Sequence, residues 1–204
     1  GCLSTEIKTS CSQRCASWRQ ACQVARKLLP RPKPASRITK RALPRQPGAQ
    51  LLVTGRVVTE VEPRVEEHGL TGRVRVLGEY AQREAPAIFR QAHVLLHTKV
   101  NDPCPTLVLE AMACGLPVVY PRSGGTVELV GDDAGVGVPH PDGFERDEPP
   151  PPEALAEAVE VALAGREAYA ARARARAVER FALEPWLDRH AELFARLTEA
   201  RLRD

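Results

Sequence analysis

"NDPCPTLVLEAMACG", residues 101–115, carries two carboxylates, Asp102 and Glu110, eight positions apart. Pro103 and Pro105 restrict the backbone on both sides of Cys104, so the loop is stiff before any ligand arrives. An apolar run follows, with Thr106 the expected N-cap and Gly115 the expected stop of a helix over 106–114. About three amides at such a start lack intrahelical partners and carry about half a positive charge, and phosphate binds readily there. Glu110, one turn in, reaches hydroxyls of the ribose kind. Asp102, at the loop entrance, accepts from a second hydroxyl-bearing group. That pairing suits a ligand anionic in the middle and hydroxyl-rich at both ends, which is the layout of a nucleotide sugar. The plainer alternative is a capped core helix with a solvent-facing glutamate.

Working outward, the chain alternates short apolar runs with helical segments from Ala49 onward. Strands are expected at 51–55, 73–78, 93–98, 116–120 and 135–139. Helical segments are expected at 59–70, closed by Gly69, at 83–92, and as one turn at 126–131. The strands lack a polar face, which predicts burial on both sides in a parallel sheet covered by helices. Ligands of open parallel sheets sit at the carboxyl ends of the strands, and the quoted loop follows the third. After an exposed loop at 141–152 come helices over 153–164, 166–181 and 185–202. The last repeats Trp186, His190, Leu193, Leu197 and Ala200 as an amphipathic face seeking a partner surface.

Residues 1–48 differ from the rest. They hold eleven Lys or Arg and one acid, net +10, whereas the remainder holds 18 bases and 25 acids, net −7. Residues 12–29 have the spacing of a short amphipathic helix, and a proline- and arginine-rich run follows. We expect a basic, poorly ordered extension over 1–48, of the kind a truncated or out-of-frame start would give, and one domain over 49–204. Charge of this kind allows peripheral contact with an anionic membrane. No specific nucleic-acid partner is expected. Cys2, Cys11, Cys15 and Cys22 lack the paired C-x-x-C of a convincing zinc site. His93 and His97 are ~13 Å apart along an extended strand, too far to share one ion, so no metal site is expected. No run approaches the roughly 18 apolar residues of a membrane span.

The segment "VLEAMACGLPVVYPRSGGTVELVG" resembles the C-terminal donor-binding domain of retaining GT-B glycosyltransferases, the glycosyltransferase family 4 group. The family's E-x7-E pattern falls on Asp102 and Glu110, and "LLVTG", "GLTGRVRVLGEY" and "AIFRQAHVLLHT" extend the likeness over roughly 49–200. The resemblance implies that Glu110 binds the nucleotide ribose and Asp102 the hydroxyls of the transferred sugar. It places the backbone around Cys104, Pro105, Thr106 and Leu107 against the sugar and diphosphate. Gly78, Glu79 and Tyr80 would lie near the base. Asp102 is one methylene shorter than the family's glutamate, and Pro103 and Pro105 replace glycines and remove two amide donors. The family's first strand of this domain, whose arginine and lysine neutralise the leaving group, has no counterpart; residues 36–48 read as a remnant of the following helix.

His97 and Lys99 flank the third strand's end and can approach ligand phosphates, or be a satisfied histidine and a solvated lysine. Gly124 and Gly125 either admit a ligand closely or turn the chain into the next helix. Glu128 is read as a capping and surface residue. With no G-x-G-x-x-G after a strand, a dinucleotide dehydrogenase is disfavoured.

The expectation is therefore an α/β, Rossmann-like parallel sheet with flanking helices, the C-terminal half of a GT-B fold. It would bind a nucleotide-diphosphate sugar in the cytoplasm, without metal or cofactor. It would be inactive alone, for want of an N-terminal acceptor domain, and its acceptor is unknown. A non-catalytic nucleotide-binding module and a nucleotide-sugar epimerase are the competing readings.

Overall fold

A computed structural model describes residues 48–55, 61–141, 143 and 148–201. The helix expected over 12–29 lies outside them. The described residues up to Arg176 belong to one compact unit and Ala177–Arg201 to another.

The first unit contains β1 (Leu51–Thr54), α1 (Glu62–Glu67), β2 (Val74–Gly78), α2 (Ala85–Phe89), β3 (Leu95–Leu96), α3 (Thr106–Ala113), β4 (Val118–Pro121), α4 (Thr126–Val130), β5 (Gly135–Val138) and α5 (Pro152–Ala164). All strand pairs are parallel, as the apolar runs predict. Among the described residues they form two sheets rather than one, β1–β2 and β3–β4–β5. Burial on both sides holds fully only for β4. In β2, adjacent Arg75 and Val76 point to opposite faces and are both exposed, so neither face of that strand is fully covered.

Side-chain alternation places two cores on β3–β4. Val119, Val138, Leu155, Ala158 and Ala162 form one, with Leu96 against it, so α5 covers that face. Ala85, Phe89, Ala111 and Leu116 form the other, with Tyr80, Leu95, Leu107 and Cys114 packed on it. Adjacent Leu95 and Leu96 thus serve opposite faces, as extended backbone requires. β3 is shorter than the 93–98 expected, pairing only through Leu95 and Leu96 with Val118 and Val119. Its ladder closes when the His97 amide donates to the Val119 carbonyl at 2.9 Å.

Gly115 ends α3 as its sequence position predicts. It has φ of 75°, and the Gly115 and Leu116 amides donate to the Met112 and Ala111 carbonyls at 2.9 and 3.0 Å. The start of the helix differs from expectation. Pro105, with φ −74° and ψ 98°, occupies the N-cap position without a side-chain cap, and Thr106 is the first helical residue. Proline's fixed φ suits that entry, so no hydroxyl is needed to turn the chain.

Helix α6 (Arg166–Phe181) crosses from one unit into the next. Its arginines hold the ends of earlier helices. Arg176 Nε and Nη2 donate to the Leu129 and Glu128 carbonyls at 2.7 and 2.8 Å, and Arg174 donates to the Ala113 carbonyl. A cation at a helix C-terminus satisfies orphan carbonyls and opposes the helix dipole. In the second unit, α7 (Leu183–Arg201) exposes Trp186, Leu187, Leu193, Phe194 and Leu197. Trp186 stacks on His190 with ring centroids 3.8 Å apart.

Candidate active site at the N-terminus of α3

The quoted loop lies between β3 and α3, at the carboxyl end of β3. Asn101 turns the chain with φ of 52°, a left-handed conformation that asparagine tolerates better than most residues. Its amide donates to Ser123 Oγ at 3.0 Å, and its side-chain amide donates to the Gly143 carbonyl at 3.1 Å. The Gly125 amide donates to the Asp102 carbonyl at 2.9 Å. Two carboxyl-end loops, after β3 and after β4, are thereby tied together.

What comes close to Gly124 and Gly125 is this loop. A Cβ on Gly124 would stand 2.6 Å from the Asp102 carbonyl oxygen, and one on Gly125 would stand 2.0 Å from that of Pro103. Gly124 also has φ of 60°. The glycine pair is thus explained by the seating of the chain's own backbone, besides the turn into α4.

Asp102 faces two bases through one oxygen. Lys99 Nζ lies 3.2 Å from Asp102 Oδ2, with the lysine side chain 60% exposed and the aspartate 14%. His97 Nε2 lies 3.8 Å from the same oxygen, beyond hydrogen-bonding range. His97 is buried, and its Nε2 has no hydrogen-bond partner. Burial lowers its pKa below the ordinary value; Asp102 opposes that shift and Lys99 adds to it. The imidazole is therefore neutral at pH 7.

Behind Asp102, the amides of Cys104, Thr106 and Leu107 have no partner among the described residues. Those of Val108 and Leu109 both turn back to the Pro105 carbonyl, at 3.0 and 3.5 Å. The helix itself thus offers two open amides, Thr106 and Leu107, because the tight first turn uses the third. Cys104 is exposed. Glu110 is held by Gln82, whose Nε2 donates to Glu110 Oε1 at 3.2 Å. This bond brings the segment after β2, with Gly78, Glu79 and Tyr80, to the flank of α3. Gly78 adopts φ of 72° at the strand's end, Glu79 is exposed, and Tyr80 packs on the Phe89–Leu116 core. Glu128 is exposed, and its backbone carbonyl serves Arg176.

Gln82 and Ser123 escaped the sequence reading. Each follows a strand end by a few residues, so the carboxyl-end rule that singled out the quoted loop was the available signal. Among the described residues no group of three or more His, Cys, Asp or Glu is placed to hold a metal ion. No helix there is long and apolar enough to cross a membrane.

Parallel sheets with flanking helices define an α/β, Rossmann-like fold, and the two carboxylates Asp102 and Glu110 stand around a helix N-terminus at the strands' carboxyl ends. The family described as glycosyl transferases group 1 matches residues 33–180, and the chain belongs to it. Over 87 residues it is 32% identical to a phosphatidylinositol N-acetylglucosaminyltransferase subunit of Arabidopsis thaliana, covering 42% of this chain and 20% of the relative. Among solved structures it is similar to sucrose-phosphate synthase from Thermosynechococcus elongatus, with a TM-score of 0.66 and 25% identity over 81% of this chain and 42% of that one. It is also similar to Anabaena Alr3699/HepE in complex with UDP and glucose, with a TM-score of 0.65 and 25% identity over 88% of this chain and 51% of that one. These neighbours have the GT-B fold. The chain spans about a fifth of the length of the Arabidopsis relative and about half of the two solved chains.

Proposed function

We propose that this chain binds a nucleotide-diphosphate sugar across the N-terminus of α3 and forms the donor-binding half of a retaining glycosyltransferase. The observation that carries this is the grouping at the strand ends. Asp102 and Glu110 flank a helix start whose Thr106 and Leu107 amides are open. In this reading the amides take the diphosphate, Glu110 takes a ribose hydroxyl and Asp102 a hydroxyl of the sugar. As the glycosidic bond to the diphosphate breaks, negative charge grows on the leaving oxygen. Fixed dipoles at a helix N-terminus oppose that charge without having to reorganise. The binding of UDP and glucose by the Anabaena protein supports a donor of the same class here.

Transfer also needs an acceptor held at about 3–3.5 Å from the reacting carbon, and this chain spans only about half of the two solved chains it resembles. We therefore expect the 204-residue chain to bind donor without transferring it. Incubation with UDP-, GDP- and ADP-sugars and a set of acceptors, read by mass spectrometry beside calorimetric binding, tests both points. Binding without transfer is the expected result. Acceptor-dependent transfer overturns the half-enzyme reading, an epimerised sugar overturns transfer in favour of isomerisation, and absence of binding overturns the donor site.

A further inference from the structure

Lys99, Asp102 and His97 form a cluster in which a single carboxylate oxygen faces two bases. Asp102 Oδ2 is shared between Lys99 at 3.2 Å, on the solvent side, and His97 at 3.8 Å, from within. An imidazole nitrogen that is buried and unpartnered is costly, because it has given up water for nothing. A movement of the carboxylate by about 1 Å would give it a hydrogen bond of ordinary length. Lys99 is exposed, and it stands in a loop where Pro103 and Pro105 have removed two amide donors. An anion arriving at Thr106 and Leu107 meets fewer N–H groups than an all-amide loop would give, and the same loop carries the exposed ammonium of Lys99 beside Asp102.

We infer that Lys99 is a phosphate-binding residue that rests on Asp102 until a nucleotide diphosphate arrives, and that Asp102 then takes its hydrogen bond from His97. This rests on the donor site proposed above. Phosphate carries more charge than a carboxylate and draws the ammonium away. The same phosphate repels Asp102 toward the neutral imidazole, whose Nε2–H can donate. The carboxylate's other oxygen stays available to a sugar hydroxyl. Lys99 thus reports the diphosphate, and His97 is a positioning residue that acts through Asp102.

Calorimetry on the 204-residue chain with UDP, GDP and ADP, and with uridine, guanosine and adenosine, tests this. Lys99→Met should weaken the best-bound diphosphate about tenfold, the loss of one charge-assisted contact, and leave the matching nucleoside unchanged. Asp102→Asn should tighten the same diphosphate about two- to threefold by releasing Lys99, and this gain should disappear in the Lys99→Met background. In wild-type protein, proton NMR should show the His97 Nε2–H shifting downfield and becoming protected on addition of the diphosphate, and Asp102→Ala, which removes the acceptor, should abolish that signal. Binding by wild type with equal affinity in Lys99→Met overturns the inference and leaves the donor site standing. Equal weakening of nucleoside and diphosphate overturns it in favour of a structural lysine. Failure of wild type to bind any of the three diphosphates overturns both.

Discussion

Replacing Gly125 by alanine isolates the close seating of the quoted loop on the turn after β4. Gly125 has φ −72° and ψ −10°, which any residue adopts, so the substitution costs nothing in backbone conformation. The cost is steric. The new methyl would lie 2.0 Å from the Pro103 carbonyl oxygen, and ordinary contact begins near 3.4 Å, so the loop must retreat by about 1.4 Å. Retreat of that size also strains the 2.9 Å bond from the Gly125 amide to the Asp102 carbonyl, worth about 1 kcal/mol. Overpacking adds about 1–3 kcal/mol, giving about 2–4 kcal/mol in all. A chain of this size loses about 2–4 °C per kcal/mol, so the melting temperature should fall by roughly 4–16 °C. Differential scanning calorimetry without ligand reads this, and donor affinity should fall as well because Asp102 moves with the loop. A Gly125→Ala protein that melts within a degree of wild type would refute the close seating. One that melts normally but loses nucleotide binding would show that a ligand, not the loop, needs the space.

Glu110→Ala should weaken nucleotide-sugar binding by about 1.5–3 kcal/mol, the value of a hydrogen bond to a charged group, with a smaller effect on melting; titration calorimetry beside a thermal scan separates the two. His97 has its pKa lowered by burial from 6.5, so the unfolded chain takes up a proton before the folded one does. Its stabilising contribution is fully present above pH 6.5 and is lost as pH falls through the lower, folded value. Urea midpoints should decline from pH 7 downward, and His97→Gln should flatten that decline. Arg176→Ala should cost about 1–3 kcal/mol by uncapping the Glu128 and Leu129 carbonyls. Arg176→Lys should recover only part of this in denaturant melts, since an ammonium cannot reproduce the fork.

Strand identities were legible because three of the five runs are short, apolar and bounded by glycine or proline, and β4 is buried at every position. The end of α3 was legible for the same reason, since only glycine enters the left-handed region freely at Gly115. The start was not. Thr106 has the right side chain for a cap, but Pro105 already fixes the entry. The division into two sheets was not readable either, because strand order depends on long-range pairing that no local pattern encodes. At the site, Asp102 and Glu110 stood out as charges beside an apolar run. Gln82 and Ser123 did not, because an uncharged loop residue acquires its meaning only from the partner that folding brings to it. The role of Arg174 and Arg176 was hidden in an alanine- and arginine-rich helix that reads as a solvated face.

The donor site itself is tested most directly by amide chemical-shift perturbation in the 204-residue chain titrated with UDP, GDP and ADP. One of these should shift the Thr106 and Leu107 amides most, with Asp102, Glu110 and the Gly78–Gln82 segment following. Saturable binding with the shifts elsewhere, for instance along α7, and none at Thr106 and Leu107 would contradict it.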